Sequence, residues 1–545
     1  MIFLIAVLLP TEIIIENQLI IHNVREAHDV AENALAKEPH TPQLIRQAIT
    51  AYARDGAEEK MLALYPEWQG SDDERREIQE EMAWGIIHKG AASSKPMIRV
   101  MSALASALSQ DAKGILILSR LLNDPNAAVR GISAQVAGEF LDEPLRQTVL
   151  KRIQEEQEWM VRLPLIKALG TMKIASAKPY LEDLVSSGHI TMEEKGSAVE
   201  ALVHLYEGSP RQELERLKNS DRAALRDLAA RVVTFFQDKK DEDILLALIH
   251  DPRAEVRASA WQGLGLLKTP HQESGLNDND FSVQLASAYH QLVTGYLPID
   301  HWFEKVMKQG TKEEKRQAAG MTRVSGSRGV ELAQKYRYLS KDPFVQLNLA
   351  YTILDSQSLD VINKQCCSKR TLWMEEQAGI IPYLTESKVA HDPAIPNYPE
   401  VVDRDLRLQA INLLAIKEYP QATNAAREFF KDPNWGITAM SLALILTEGD
   451  DNAVEIVKSL LTDPDPNVQL QAALILSKWD PEEKVLDLLE SHYDRLPMEK
   501  KEIVITAIGE LEDPRSKDFL LKAMGASHQS IRIIASAALL KTLYD

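Results

Sequence analysis

In AEVRASAWQGLGLL, residues 254 to 267, apolar or small side chains fall at Val256, Ala260, Leu264 and Leu267, in steps of 4, 4 and 3. That spacing keeps them on one stripe of a 3.6-residue helix. The run before it, DEDILLALIH, is a second helical segment, and Asp251-Pro252 separates the two. Proline cannot continue the first helix but fits the first turn of the next, and an aspartate beside it is placed to accept from free amides there. The pattern predicts a helix, a turn and a second helix.

The same pattern stands elsewhere in the chain. NDPNAAVRGISAQVAG, residues 123 to 138, matches HDPRAEVRASAWQGLG, residues 250 to 265, at Asp124 and Asp251, Val129 and Val256, Arg130 and Arg257, and Gly138 and Gly265. The offset of 127 is close to four units of about 32 residues, the length that repeat architectures use. A degenerate copy carries Val161, Arg162 and Gly170, and looser ones surround Arg99, Arg407, Asp463 with Gln469, and Arg532. Further Asp-Pro pairs at 342, 432 and 463 repeat the turn signal. The expected fold is all-α, an α-solenoid of stacked antiparallel helix pairs. Gly138, Gly170 and Gly265, with Ala107, Ala415 and Ser477 at the same offset, would let paired helices approach closely. The six-residue step from Asp124 to Arg130 and from Asp251 to Arg257 is expected to bring carboxylate and guanidinium together at repeat junctions. With Arg162 they form a structural ladder, partial where Gln469 replaces arginine.

The pattern D-P-x-x-x-V-R followed eight residues later by Gly, at 124 to 138 and 251 to 265, resembles the HEAT repeats. So does VRLPLIKALGTMKIASAKPYLEDLVSS, residues 161 to 187, and the likeness is closest to the short bacterial form that also occurs in phycobilisome lyases. The resemblance spans roughly residues 40 to 545. It implies an α-solenoid whose second helices line a concave surface, and a role as a scaffold for protein partners. It implies no chemistry, because so widely used a fold carries none.

Breaks in the pattern divide the chain into four parts. Residues 1 to 22 open on MIFLIAVLL, nine apolar residues before Pro10, shorter than the ~20 needed to span a bilayer. The length suits the hydrophobic part of an export signal, but no basic start and no small-x-small cleavage pattern accompany it. The reading favours the cytoplasm, with export or tethering, and membrane contact through this segment alone, as the alternative. Residues 23 to 380 form a long array, including a helix pair with a tetratricopeptide-like flavour at 41 to 68. Pro382, Pro393, Pro396 and Pro399 mark a connector over 381 to 402, and 403 to 545 form a second array. The last helix, from about Gln529 to Leu543, carries Ile531, Ile533, Ile534, Leu539 and Leu540 around most of its circumference. It is expected to pack one face on its own array and offer the other to a partner or a second copy.

Length and charge change the picture little. A chain of 545 residues is too long for one core, yet a solenoid grows by nearest-neighbour packing. The net charge of -18, from 62 basic and 80 acidic residues, disfavours nucleic acid and anionic membranes over most of the surface. The acidic run from Arg54 to Met82 reads as a solvated face. One island departs from the balance: Glu304 to Lys341 holds ten basic and four acidic residues. Lys305, Lys308, Lys312, Lys315, Arg316, Arg323 and Arg328, flanked by Trp302, Phe303, Tyr336 and Tyr338, form a candidate patch for an anionic partner, with a plain solvated face as the competing reading.

Candidate chemistry is sparse. The two cysteines, Cys366 and Cys367, are adjacent and offer neither a disulfide framework nor a zinc site. SGSRG at Ser325 to Gly329 lacks the lysine and spacing of a phosphate cradle, and no H-E-x-x-H stands among thirteen histidines. His204 and His290 read as packed or solvated. NDND at Asn277 to Asp280 begins like a calcium loop, but Val283 stands where glycine is needed. Trp159, Trp261 and Trp479 read as core residues. No catalytic, cofactor-binding or metal residue is assigned and no cofactor is expected. The leading expectation is a non-enzymatic protein-interaction scaffold. The alternatives are a lyase- or chaperone-like action on a ligand-bearing protein, and binding of nucleic acid or an anionic surface through the basic island.

Overall fold

The computed structural model describes residues 10–37, 40–208, 210–356, 408–409, 411–416, 422–431, 450–479 and 483–543. Among them there is helix, turn and loop but no strand. The first ten helices are α1 (Thr11–Ile20), α2 (Val24–Leu35), α3 (Pro42–Asp55), α4 (Glu58–Leu64), α5 (Asp72–Ala91), α6 (Pro96–Leu108), α7 (Ala112–Leu121), α8 (Ala127–Ala137), α9 (Glu143–Glu155) and α10 (Trp159–Thr171). Next come α11 (Lys178–Ser186), α12 (Met192–Leu205), α13 (Arg211–Lys218), α14 (Ala223–Phe236), α15 (Glu242–Leu248), α16 (Ala254–Leu266), α17 (Phe281–Thr294), α18 (Asp300–Gln309), α19 (Lys312–Arg323), α20 (Gly326–Tyr336) and α21 (Pro343–Asp355). The remainder are α22 (Ala422–Phe430), α23 (Asp451–Ser459), α24 (Pro466–Trp479), α25 (Glu483–Tyr493), α26 (Met498–Glu510), α27 (Lys517–Met524) and α28 (Gln529–Thr542).

Local chemistry sets the boundaries. Ser71 and Glu74, Thr191 and Glu194, and Thr311 and Glu314 each close a capping box, which satisfies two otherwise orphaned amides at the starts of α5, α12 and α19. Thr41 caps α3 with Pro42 in its first turn, and Gly56, at φ 72, ends it in the left-handed conformation that glycine adopts without strain. The helix pair expected at 41 to 68 is α3 and α4.

The Asp-Pro pairs work in two ways. At Asp342-Pro343 the expectation holds: Pro343 opens α21 and Asp342 Oδ1 accepts from the amides of Phe344 and Val345. At Asp124 and Asp251 the proline lies in the linker, before the helix. The aspartate accepts from the amide two residues on, Asn126 or Arg253, and so bends the turn rather than capping the helix. Asn126 is the cap of α8. Asp432-Pro433 lies outside the described residues.

Contacts divide the chain into two compact units, Met1–Ala177 with Asp480–Asp545, and Lys178–Trp479. Neither boundary falls at 381 to 402, a segment outside the described residues. The first unit therefore joins the amino-terminal repeats to the carboxyl-terminal ones. Its second helices form a row in which α6, α8 and α10 pack in succession, and α28 packs on α6, on α5 and on α26. The expectation of a half-exposed last helix is corrected here. Ile531, Ile533, Ile534, Leu539 and Leu540 are all buried, because α5 and α6 of the same chain cover the face that α26 and α27 leave open.

In the second unit α14, α16, α17, α19 and α21 make the corresponding row. One repeat is irregular. Between α16 and α17 a loop over 268–280 stands where a first helix is expected, and buried side chains of α17 satisfy its backbone. His290 Nε2 lies 2.8 Å from Thr269 O, Gln291 Nε2 donates to Glu273 O at 3.1 Å, and Ser287 Oγ accepts from Gly275 N at 2.8 Å. Burial holds the His290 imidazole below its ordinary pKa, in keeping with a packed neutral ring. Trp261 is buried beside it, whereas Trp159, expected in the core, is 56% exposed.

Candidate functional site

Arginines at one position of five second helices, α6, α8, α14, α16 and α19, tie one repeat to the next. Arg99 reaches Asp124 with Nε at 2.6 Å and Nη2 at 2.7 Å, and Arg130 reaches Glu156 at 2.7 and 3.0 Å. In the second unit Arg226 holds Asp251 at 2.5 and 3.0 Å, Arg257 holds Asp278 at 2.9 Å through both nitrogens, and Arg316 holds Asp342 at 3.1 Å. Arg427, near the end of α22 and 36 residues before its partner, is outside this register but holds Asp463 in the same way, at 2.5 and 3.2 Å. The ladder exists, but its rungs are not those the spacing suggested. Asp124 does not bond the Arg130 guanidinium through its carboxylate, nor Asp251 that of Arg257. Each of these arginines uses Nη1 on the backbone carbonyl six residues earlier, Asp124 O at 2.9 Å and Asp251 O at 2.8 Å, and spends its other nitrogens on the following repeat. Arg162 keeps the first half of this arrangement, with Nη1 3.4 Å from Glu156 O.

Glutamine at the ladder position makes the same backbone contact: Gln284 donates to Asp278 O at 2.6 Å and Gln346 to Ser340 O at 2.9 Å. Two acids of the ladder carry no Asp-Pro signal. Asp278 belongs to the NDND run and Glu156 to an unremarkable QEEQEW. The only mark either bears is an acid some 21 to 26 residues after a ladder arginine.

The charges are firmly held. Burial alone would push the Asp124 carboxyl up, yet Arg99 and the Asn126 amide keep it below its ordinary value. For Glu156 burial is again opposed, by Arg130, the Glu158 amide and Arg152, and the result is a carboxyl lowered to about 2. Both ladder groups are occupied inside the stack, so their work is structural.

The basic island is dispersed. Lys305 and Lys308 lie on α18, with Lys308 Nζ 2.5 Å from Glu304, while Lys312 and Lys315 open α19. Arg316 is a rung and also lies over the Phe344 ring. Arg323 sits 3.9 Å from the centre of the Tyr351 ring and donates to Gln409 Oε1 at 2.7 Å. Arg328, on α20, lies against the backbone at Gly295, whose φ is 71. Trp302, Phe303 and Tyr336 are buried in the hydrophobic core, which leaves Tyr338 as the exposed flanking ring. The seven cations thus occupy three helices, and the arginines at 316 and 323 are engaged within the fold.

Each unit instead carries an open groove on its second-helix row. In the first, small residues of α8 (Ala128 and Gly131) face Met160, Leu163 and Pro164 of α10 across about 540 Å³, with Glu139 and Lys167 also on the lining. Met160 is 51% exposed. In the second, Gln262 and Leu266 of α16, Tyr289 of α17, and Gln317 and Val324 beside α19 line about 710 Å³. The charged groups there are neutralised by neighbours: Arg231 bonds Asp227 at 2.8 Å and Glu255 receives Arg253 at 3.1 Å. Among the described residues no cluster of three or more metal-binding side chains occurs, and no helix is long and apolar enough to cross a membrane.

A sequence profile of the HEAT repeats matches residues 116–203, the span from α7 into α12 that contains Arg130 and Glu156. That span of the chain carries HEAT repeats. The matching profile describes HEAT repeats at large and does not single out the short bacterial form. No curated protein matches the sequence at a significant level. Solved structures similar to this chain include Kap121p, 12% identical with a TM-score of 0.33 over 97% of this chain and 86% of that one. Kap121p bound to Nup53p is 11% identical, with a TM-score of 0.31 over 97% and 86%. She4p is 12% identical, with a TM-score of 0.21 over 95% and 83%. At these scores no property of those proteins passes to this one.

Proposed function

We propose that this protein is a HEAT-repeat scaffold that binds protein partners along the second-helix rows of its two units. The observation that carries the reading is the pair of grooves. Their walls are built by consecutive repeats, and large apolar side chains there, Met160 at 51% and Val324 at 67% exposure, pack against little of their own chain. Exposed apolar side chains over small residues offer depth and adaptable contact, which suits a protein side chain or helix more than a small polar ligand.

The test is capture from the native host with the wild-type chain and two paired variants, Met160→Glu with Leu163→Glu, and Leu266→Glu with Val324→Glu. Charges in a desolvated contact should reduce the recovered partner by about tenfold or more in at least one pair, with the helical circular dichroism signal unchanged. Full recovery by both folded variants would remove the proposal.

A further inference from the structure

The second-helix row of the first unit is assembled from two stretches of chain, and they meet where α28 packs on α5 and α6. This seam repeats the chemistry of an ordinary repeat junction. Arg532 Nε donates to Glu58 Oε2 at 2.7 Å, and its Nη1 donates to Ala526 O at 2.8 Å and Ser527 O at 3.2 Å. That is the division of labour seen in Arg130 and Arg257, except that the acid precedes the arginine by 474 residues. Glu58 is 4% exposed, and Lys89 places a second cation 3.4 Å from its Oε1. The packing is equally close: a Cβ on Gly90 of α5 would lie 2.5 Å from Ile533 and 2.4 Å from Ser102 of α6.

Elsewhere in the row of the first unit, α6, α8 and α10 follow one another through short turns and one intervening helix. Such junctions cannot part without unravelling the chain between them. The seam can part while each stretch keeps its own packing, because a repeat touches only its neighbours. Parting would uncover two unlike faces on one molecule, an apolar α28 bearing Arg532 and a face of α5 and α6 beside Glu58, the first residue of α4. Each fits the opposite face of another copy.

We propose that this seam is exchangeable, so that the carboxyl-terminal repeats of one copy seat on the amino-terminal repeats of a second copy, and the reverse, to give a reciprocal dimer in equilibrium with the closed monomer. Tethering through residues 178–479 favours closure in dilute solution, and rising concentration favours exchange.

The full chain allows a charge-swap test. Glu58→Arg alone sets two arginines against each other within the molecule, and Arg532→Glu alone sets two glutamates. Mixed one to one, the two variants can form matched rungs only between copies. The expected result is a species of twice the 61.1 kDa of one chain in the mixture, by size exclusion with light scattering, and a monomer for the double variant Glu58→Arg with Arg532→Glu. Hydrogen exchange at 96–108 and 529–542 should quicken in each single variant and slow again on mixing. If the single variants lose helical structure, recovery of that signal on mixing still supports exchange. A mixture that stays monomeric while the double variant closes would overturn the proposal, as would single variants whose exchange at those segments is unchanged.

Discussion

At the scale of single residues, the decisive group is the ladder arginine. Arg130 and Glu156 have side chains only 11% and 2% exposed, and the fork of Arg130 serves two repeats at once. Removing it by Arg130→Ala leaves Glu156 with Arg152 as its remaining cation and should cost about 2 kcal/mol in urea denaturation. Arg130→Lys should recover less than half, since a single ammonium cannot span both the carboxylate and the Asp124 carbonyl. The pH dependence follows from Glu156, lowered from its ordinary 4.5 to about 2 in the folded state. A carboxyl with a depressed folded pKa stabilises fully above its unfolded value, and the benefit fades as pH falls from 4.5 toward 2. The stability gap between wild type and Glu156→Gln, about 3 kcal/mol at pH 7, should therefore close across that window. Arg99, Arg130 and Arg257 were legible in the sequence as a repeated letter, whereas Arg226 went unmarked and Arg316 was read only as part of the basic island. Their partners were not legible, because spacing along one helix says nothing of the repeat stacked on it, and the nearest acid in sequence offered only a backbone oxygen.

At the scale of elements, the stripe that predicts α16 from Val256, Ala260 and Leu264 holds, and so do the second helices generally. What the stripe could not show is a first helix replaced by loop. The run over 268–280 keeps the repeat in register through α17, and its acids have ordinary duties: Asp278 is a rung and Asp280 caps α17. Gln291 is the linchpin, donating to Glu273 O and accepting from Leu297 N. Gln291→Leu removes both bonds at near-constant volume and should cost about 2 kcal/mol, with amide exchange accelerated over 268–299 and little changed in α14. The apolar circumference of α28 was read correctly as a demand for burial on several sides. Its source was missed because the covering helices, α5 and α6, lie more than 400 residues earlier in the sequence.

At the scale of the whole molecule, the chain leaves the first unit after Ala177 and rejoins it at Asp480. Deleting 528–545 should accordingly be felt far from the cut: amides of α5 and α6 over 78–108 should exchange faster, while those of α14 and α16 keep their rates. The junctions of the second unit also differ in kind. Those at Arg226, Arg257 and Arg316 are ionic, whereas Gln284 reaches the next helix through a neutral bond, Trp302 Nε1 donating to its Oε1 at 3.0 Å. A row of repeats pulled at its ends yields at its weakest tie, and salt weakens ionic ties, modestly where they are as enclosed as these, while leaving neutral ones unchanged. Stretched in an optical trap, the second unit should rupture at lower force as salt rises for the arginine junctions, and at constant force for the one at Gln284. The order in which repeats let go under load would then be set by the surrounding ions, and a single glutamine would fix the step that does not move.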